Sequence, residues 1–127
     1  MKKQILLVDD EPTIQKLLNF VLSKEYDIKV ADNGYDALLW LEEGNDPDLI
    51  ILDLLMPYFD GYSFLKAVKI SGYYRDTPVV ILSGNENQYE SQLEFEVEGY
   101  ISKPFNPEVL KATISKIFNT RQNEFPN

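Results

Sequence analysis

Three unbroken apolar runs, Ile5–Val8, Leu49–Leu52 and Val79–Leu82, constrain this chain more than any other feature. Each is too short for a helix of its own, and each is followed at once by a polar residue, Asp9, Asp53 or Ser83. A strand with one wet face alternates apolar and polar residues, whereas a continuous run belongs to a strand covered on both faces. Such strands pair in parallel and need crossovers between them, which are right-handed almost without exception. The intervening segments must therefore supply helices to both faces of one sheet.

Read in order, Gln4–Val8 is expected as the first strand. From Pro12 to about Glu25, Ile14, Leu17, Leu18, Val21 and Leu22 recur at helical spacing, and Pro12 suits a first-turn position. Ile28–Ala31 is a short second strand stopped by Asp32, Asn33 and Gly34; Ala37, Leu38 and Leu41 mark a second helix ending at Gly44. The third strand ends in Asp53, and Pro57–Gly61 turns the chain into a third helix, Tyr62 to about Ser71, carried by Phe64, Leu65 and Val68. Pro78 opens the fourth strand, Val79–Leu82. Asn85–Val97 is polar and acidic, with only Leu93 and Val97 spaced for a weak helix. Tyr100–Ser102 is a brief fifth strand, and Pro107 starts a last helix with Val109, Leu110, Ile114, Ile117 and Phe118 inward. Residues 1–119 then form one α/β domain of three layers, and 120–127 a polar tail expected to fray.

Composition excludes several chemistries. The chain has no Cys and no His, so a disulfide framework, thiolate or imidazole metal ligands, a histidine base and intramolecular phosphohistidine are all impossible. A formal charge of −9 with twelve scattered basic residues argues against direct binding to nucleic acid or to an anionic membrane. The opening MKKQILLVDD carries too short an apolar run for a signal peptide or an anchor, and a soluble, cytoplasmic protein is expected. Neither GxxxxGK[ST] nor a GxGxxG after a strand occurs, so nucleotide binding has no motif to rest on. Trp40 reads as core packing, Tyr73-Tyr74 as loop anchors, and the acidic run Glu86–Glu98 as a solvated face.

The strand ends carry the chemistry. Strand one ends in Asp9-Asp10, strand three in Asp53, strand four in Ser83 and strand five in Lys103. Open α/β sheets bind ligands in the crevice beyond the carboxyl ends of their strands. Turn chemistry accounts for an Asp where a strand stops; it does not account for a Lys set between an apolar strand and Pro104. Clustered carboxylates repel unless a cation joins them, and an all-oxygen set favours a hard ion such as Mg²⁺ that keeps several waters. Beside such an ion Asp53 is placed to act as a nucleophile toward phosphorus, with Lys103 neutralising charge and Ser83 donating a hydrogen bond.

Together VDDEP, DLLMPYFDG, ILSG and YISKPF, one at each of four strand ends, resemble the receiver domain of two-component response regulators, CheY-like proteins, over about Lys3–Asn119. The resemblance implies a flavodoxin-like (βα)5 fold with a parallel five-stranded sheet in the order 2-1-3-4-5, an order for which chemotaxis receivers are themselves a standard example. It implies that Asp53 is the phosphoacceptor, supplied by the phosphohistidine of a sensor histidine kinase or a phosphotransfer protein. Asp9, Asp10, Asp53 and the main-chain carbonyl of Leu55 are implied as the Mg²⁺ ligands, and Ser83 and Lys103 as contacts of the phosphoryl group. Ser83 and Tyr100 become the switch pair, Lys103–Pro104 a cis peptide, and the surface of the fourth helix, fifth strand and last helix the seat of a downstream partner. Leu55 and Asn85, each two residues beyond a site residue, are placed to tune loss of the phosphate.

The match has departures. Glu96-Val97 stands where many receivers carry Gly-Ala, and the interval from Ser83 to Lys103 is short for the family. Ser83 keeps the hydroxyl of the commoner Thr. On this reading the chain is no enzyme beyond catalysing its own phosphorylation and slow dephosphorylation, and it acts by binding a partner or passing the phosphoryl group on. A Mg²⁺-dependent phosphohydrolase of the aspartyl-phosphate type is the alternative, but it usually places an acid where Leu55 stands. A phosphorylation-independent interaction module on the same fold would be expected to lose the acids, the hydroxyl or the lysine, and all are present.

Overall fold

The computed structural model describes residues 2–54, 61–83 and 95–124. Among these residues five strands and four helices follow one another as β1 (Lys3–Val8), α1 (Pro12–Leu22), β2 (Tyr26–Ala31), α2 (Gly34–Glu42), β3 (Leu49–Asp53), α3 (Gly61–Ile70), β4 (Val79–Ser83), β5 (Gly99–Ser102) and a C-terminal helix, Pro107–Glu124. The strands make one sheet in the order β2-β1-β3-β4-β5, and every pairing is parallel.

The unbroken apolar runs are explained by two cores, one on each face. Successive side chains of a strand point to opposite faces, so Leu6, Val8, Ile50, Leu52, Val79 and Ile81 meet Ala37 and Leu41 of α2 and Phe64, Leu65 and Val68 of α3. Their neighbours Ile5, Leu7, Leu49, Ile51, Val80 and Leu82 meet Leu18 and Leu22 of α1 and Leu110, Ile114 and Ile117 of the C-terminal helix. All twelve strand residues are effectively removed from water. β2, at the edge, instead sets exposed Asp27 and Lys29 between half-buried Ile28 and Val30, with buried Tyr26 and Ala31 at its ends.

Helix ends follow local chemistry. Asn33 caps α2, its Oδ1 accepting from the Asp36 N–H at 2.8 Å. The helix stops where Gly44 takes φ +98°, a left-handed conformation costly for other residues, and Gly44 N–H donates to Leu41 O. Tyr74 anchors the loop before β4, its hydroxyl lying 2.9 Å from Leu41 O and 2.6 Å from Asn45 O. Trp40 is half-buried against the α2–α3 core, while Leu39 is exposed.

Several boundaries differ from expectation. α1 ends at Leu22 and not near Glu25, because residues 23–25 form the tight turn that brings Tyr26 into β2, where its ring packs 5.6 Å from that of Phe118. The C-terminal helix passes Asn119 and runs to Glu124; residues 120–124 contain neither Gly nor Pro, and nothing in them breaks a helix already anchored by its apolar face. Val109, expected inward, is 52% exposed, since Leu110 takes the core-facing position of that first turn. Of the weak helix expected over Asn85–Val97, 85–94 lie outside the described residues, and Phe95–Val97 are not helical but lend Phe95 and Val97 to the α2–α3 core. Among the described residues no helix is long and apolar enough to cross a membrane.

Candidate functional site

The registers of the strands assemble the site before any side chain is considered. Val8 lies opposite Leu52, so the next residues, Asp9 and Asp53, emerge side by side at the carboxyl edge of β1 and β3. The Asp9 N–H prolongs the ladder by donating to Ala31 O of β2 at 3.2 Å. On the other flank Asp53 pairs with Leu82 and Ser83 with Ser102, which sets Ser83 and then Lys103 along the same edge. Lys103 stands on the second strand from Asp53, about 9.6 Å away at ordinary strand spacing, and only a long side chain spans that gap.

Lys103 does span it. Its Nζ lies 3.2 Å from Asp53 Oδ2, 3.2 Å from Asp9 Oδ2 and 2.8 Å from Glu11 Oε1. Asp9 is wholly buried and Asp53 is 4% exposed. Burial pushes the Asp9 carboxyl above the ordinary range; the Glu11 N–H and the Lys103 charge pull it back, and Asp53 adds to the rise. For Lys103 burial alone lowers the pKa, but the hydrogen bond it donates to Glu11 and the charges of Asp53 and Asp9 outweigh it, and the ammonium is held above its ordinary range. The site therefore keeps a permanent cation among its acids.

One carboxylate oxygen of Asp9 is tied down and the other is not. Oδ1 accepts from the Glu11 N–H at 2.9 Å, whereas Oδ2, fully buried, has no hydrogen-bond donor of good geometry among the described residues and lies 3.2 Å from the Lys103 ammonium. The loop is braced from α1: Gln15 Nε2 donates to Asp9 O at 2.6 Å and to Asp32 Oδ1 at 2.7 Å. Asp9, Asp10 and Asp53 each bring a carboxylate oxygen within 4.8 Å of the other two. Three hard oxygens around an orphaned buried acceptor fit a small divalent cation, and the donor set excludes the soft metals that prefer sulfur.

Gly61, at the start of α3, lies in close approach to the end of β3. The Gly61 N–H donates to Leu54 O at 3.2 Å, and a Cβ on Gly61 would overlap the carbonyl of Asp53 and the Cα of Leu54. The Lys103–Pro104 peptide is cis. Tyr100 sits on β5 opposite Ile81, half-buried against the α2–α3 core. Leu55, Asn85 and the side chain of Ser83 lie outside the described residues. Sequence reasoning thus located Asp9, Asp10, Asp53 and Lys103 on one edge, and it missed Glu11 and Gln15 as their partners; the signal available for Glu11 was its place in the same strand-end loop as the Asp pair.

Comparison with known proteins agrees with this geometry. Residues 5–115 match the family model of the response regulator receiver domain. The phosphate regulon transcriptional regulatory protein PhoB of Escherichia coli (strain K12) is 36% identical over 119 residues, which are 92% of this chain and 52% of that protein, so the chain spans about half the length of the curated relatives it matches. The chemotaxis response regulator CheY4 of Vibrio cholerae superposes with a TM-score of 0.83 at 29% identity, covering 92% of this chain and 99% of that one. The receiver domain of sensor histidine kinase PA1611 from Pseudomonas aeruginosa PAO1, described with a magnesium ion coordinated in its active site cleft, gives 0.83 at 26% identity, covering 91% and 97%. The chain belongs to the receiver domains of two-component response regulators, with the CheY-like parallel sheet that carries them.

Proposed function

We propose that Asp53 is the phosphoacceptor, and that the chain takes a phosphoryl group from the phosphohistidine of a sensor histidine kinase or a His-containing phosphotransfer protein. The convergence of Asp53, Asp9 and Asp10 within 4.8 Å, with the Lys103 ammonium 3.2 Å from Asp53, carries this reading. An Asp53 oxygen forms the O–P bond as the P–N bond to the donor imidazole breaks, and the electron pair leaves with the imidazole nitrogen. Lys103 supplies fixed positive charge beside the transferring group, and Ser83, one residue beyond the β4 position paired with Asp53, supplies a hydroxyl donor. Asp9, Asp10 and Asp53, with the main-chain carbonyl of Leu55, would hold Mg²⁺, which when bound offsets the negative charge of the phosphoryl oxygens.

On this reading the chain turns over no substrate other than its own aspartate. Its output is a change in the surface of the segment before β5, β5 and the C-terminal helix, where a downstream protein partner would bind. The reading places it in the cytoplasm with its phosphodonor. Incubation with Mg²⁺ and a small phosphodonor, followed by mass spectrometry, tests it: one phosphate is expected on Asp53. Asp53→Asn, which keeps the shape but has no nucleophilic carboxylate, is expected to take none and to retain the fold by circular dichroism. Label retained at the native level in that variant would sink the assignment.

A further inference from the structure

Glu11 is the N-cap residue of α1, with extended backbone at φ −90° and ψ 114°, yet its side chain makes no capping hydrogen bond. Asp, Asn, Ser and Thr are the residues that cap a helix from this position. The Glu11 carboxylate turns instead across the sheet edge to Lys103, and at 2.8 Å this is the shortest of the three carboxylate contacts that the ammonium makes among the described residues. The same residue's N–H holds Asp9 Oδ1. With the Glu11 side chain 55% exposed, the pair adds little to stability, so folding does not explain why the cap is given up.

The competition within the cluster does explain it. A divalent cation and the ammonium seek the same oxygens of Asp9 and Asp53, and each weakens the other's binding there. We infer that Glu11 is a positioning residue for Lys103: by accepting the ammonium's shortest hydrogen bond it holds Nζ toward the open side of the cluster. The ammonium's contacts with Asp9 and Asp53, at 3.2 Å each, are thereby kept the weaker ones and yield more readily to Mg²⁺, while the lysine stays within reach of a group carried on Asp53. The inference rests on the phosphoacceptor reading of the cluster and assigns within it a residue that acts through another.

Calorimetric titration of the whole chain with Mg²⁺ alone, without phosphodonor, tests it as a double-mutant cycle. Glu11→Gln is expected to weaken Mg²⁺ binding about fivefold in the native background and by less than about twofold in a Lys103→Met background, as a coupled pair requires. Equal losses in the two backgrounds would mean that Glu11 acts as a distant charge, and would overturn the inference. If Lys103→Met does not fold, Glu11→Asp replaces it. That variant keeps the charge but shortens the reach by one methylene, and is expected to weaken Mg²⁺ binding as Glu11→Gln does; native affinity in it would overturn the inference. A native chain that binds no Mg²⁺ overturns the phosphoacceptor reading as well, whereas equal losses overturn this inference alone.

Discussion

Gly61 shows how closely the backbone is drawn in behind Asp53. A methyl group there would occupy the space of the Asp53 carbonyl and the Leu54 Cα, neither of which moves without displacing the end of β3. Gly61→Ala is expected to lower the unfolding free energy by about 2 kcal/mol or more and to slow phosphorylation from a small donor, read by urea denaturation and by the rate of label uptake. Native values for both would show that the approach of Gly61 to β3 does not constrain the site. On the proposed reading Leu55 would bear, by its chemistry alone, on how long a phosphate on Asp53 survives: its side chain neither donates nor accepts a hydrogen bond and so would orient no water toward phosphorus, with Asn85 left as the weaker candidate. On the proposed phosphoacceptor reading slow self-dephosphorylation is expected, and Leu55→Asn is expected to speed the decay by about tenfold, or about 1.4 kcal/mol of barrier. The decay of labelled protein after donor removal, at equal Mg²⁺, measures it; a native half-life of seconds or a variant no faster would remove Leu55 from the role. At this scale the sequence revealed residues whose position is dictated by a strand end, such as Asp9, Asp53 and Lys103. It did not reveal the Glu11–Lys103 pair, because which way a side chain turns at the start of a helix depends on partners 92 positions away.

At the scale of elements, legibility followed burial. β1, β3 and β4 stand out because both their faces are covered, and every residue in the apolar runs reports it. β2 is an edge strand whose Asp27 and Lys29 face outward, so its first residue, the buried Tyr26, looked like part of the preceding turn. The C-terminal helix outran its expected end because apolar spacing marks where a helix packs and not where an exposed extension stops. Tyr74 is a loop anchor, as expected, whereas Tyr73 is 69% exposed with its hydroxyl 3.4 Å from Asp46. The proposed switch belongs at this scale too. Added phosphate brings about −1.5 to −2 charge and new acceptors to the β4 end, and if Ser83 is drawn to them, β5 beside it must respond. Tyr100, half-buried against the α2–α3 core from its place opposite Ile81, is the residue proposed to respond by turning inward. Fluorotyrosine spectra with and without a phosphoryl mimic, assigned through Tyr100→Phe, are expected to show its resonance shifting with Mg²⁺ and mimic together. An unmoved resonance would remove Tyr100 from the mechanism.

For the whole molecule, the site is a concentration of a general property. The chain carries a formal charge of −9, and at the sheet edge Asp9, Glu11 and Asp53 gather on Lys103, with Asp10 beside the other two aspartates. Self-repulsion of this kind opposes the compact state, so a cation held by the folded chain and not by the unfolded one stabilises it by mass action, about 2.7 kcal/mol at a hundred times its dissociation constant. For a domain of this size that corresponds to a rise in the thermal midpoint of about 10 °C. Two origins of such a rise are separable. Screening of net charge depends on ionic strength and is indifferent to which residue is altered, whereas a site needs its ligands. Thermal unfolding is therefore expected to shift with Mg²⁺ but far less with NaCl of equal ionic strength, and Asp10→Ala is expected to lose most of the Mg²⁺ shift while Glu11→Ala loses only part of it. Equal shifts with the two salts, or equal losses in the two variants, would mean that Mg²⁺ acts on the charge of the molecule as a whole and not at the carboxyl edge of its sheet.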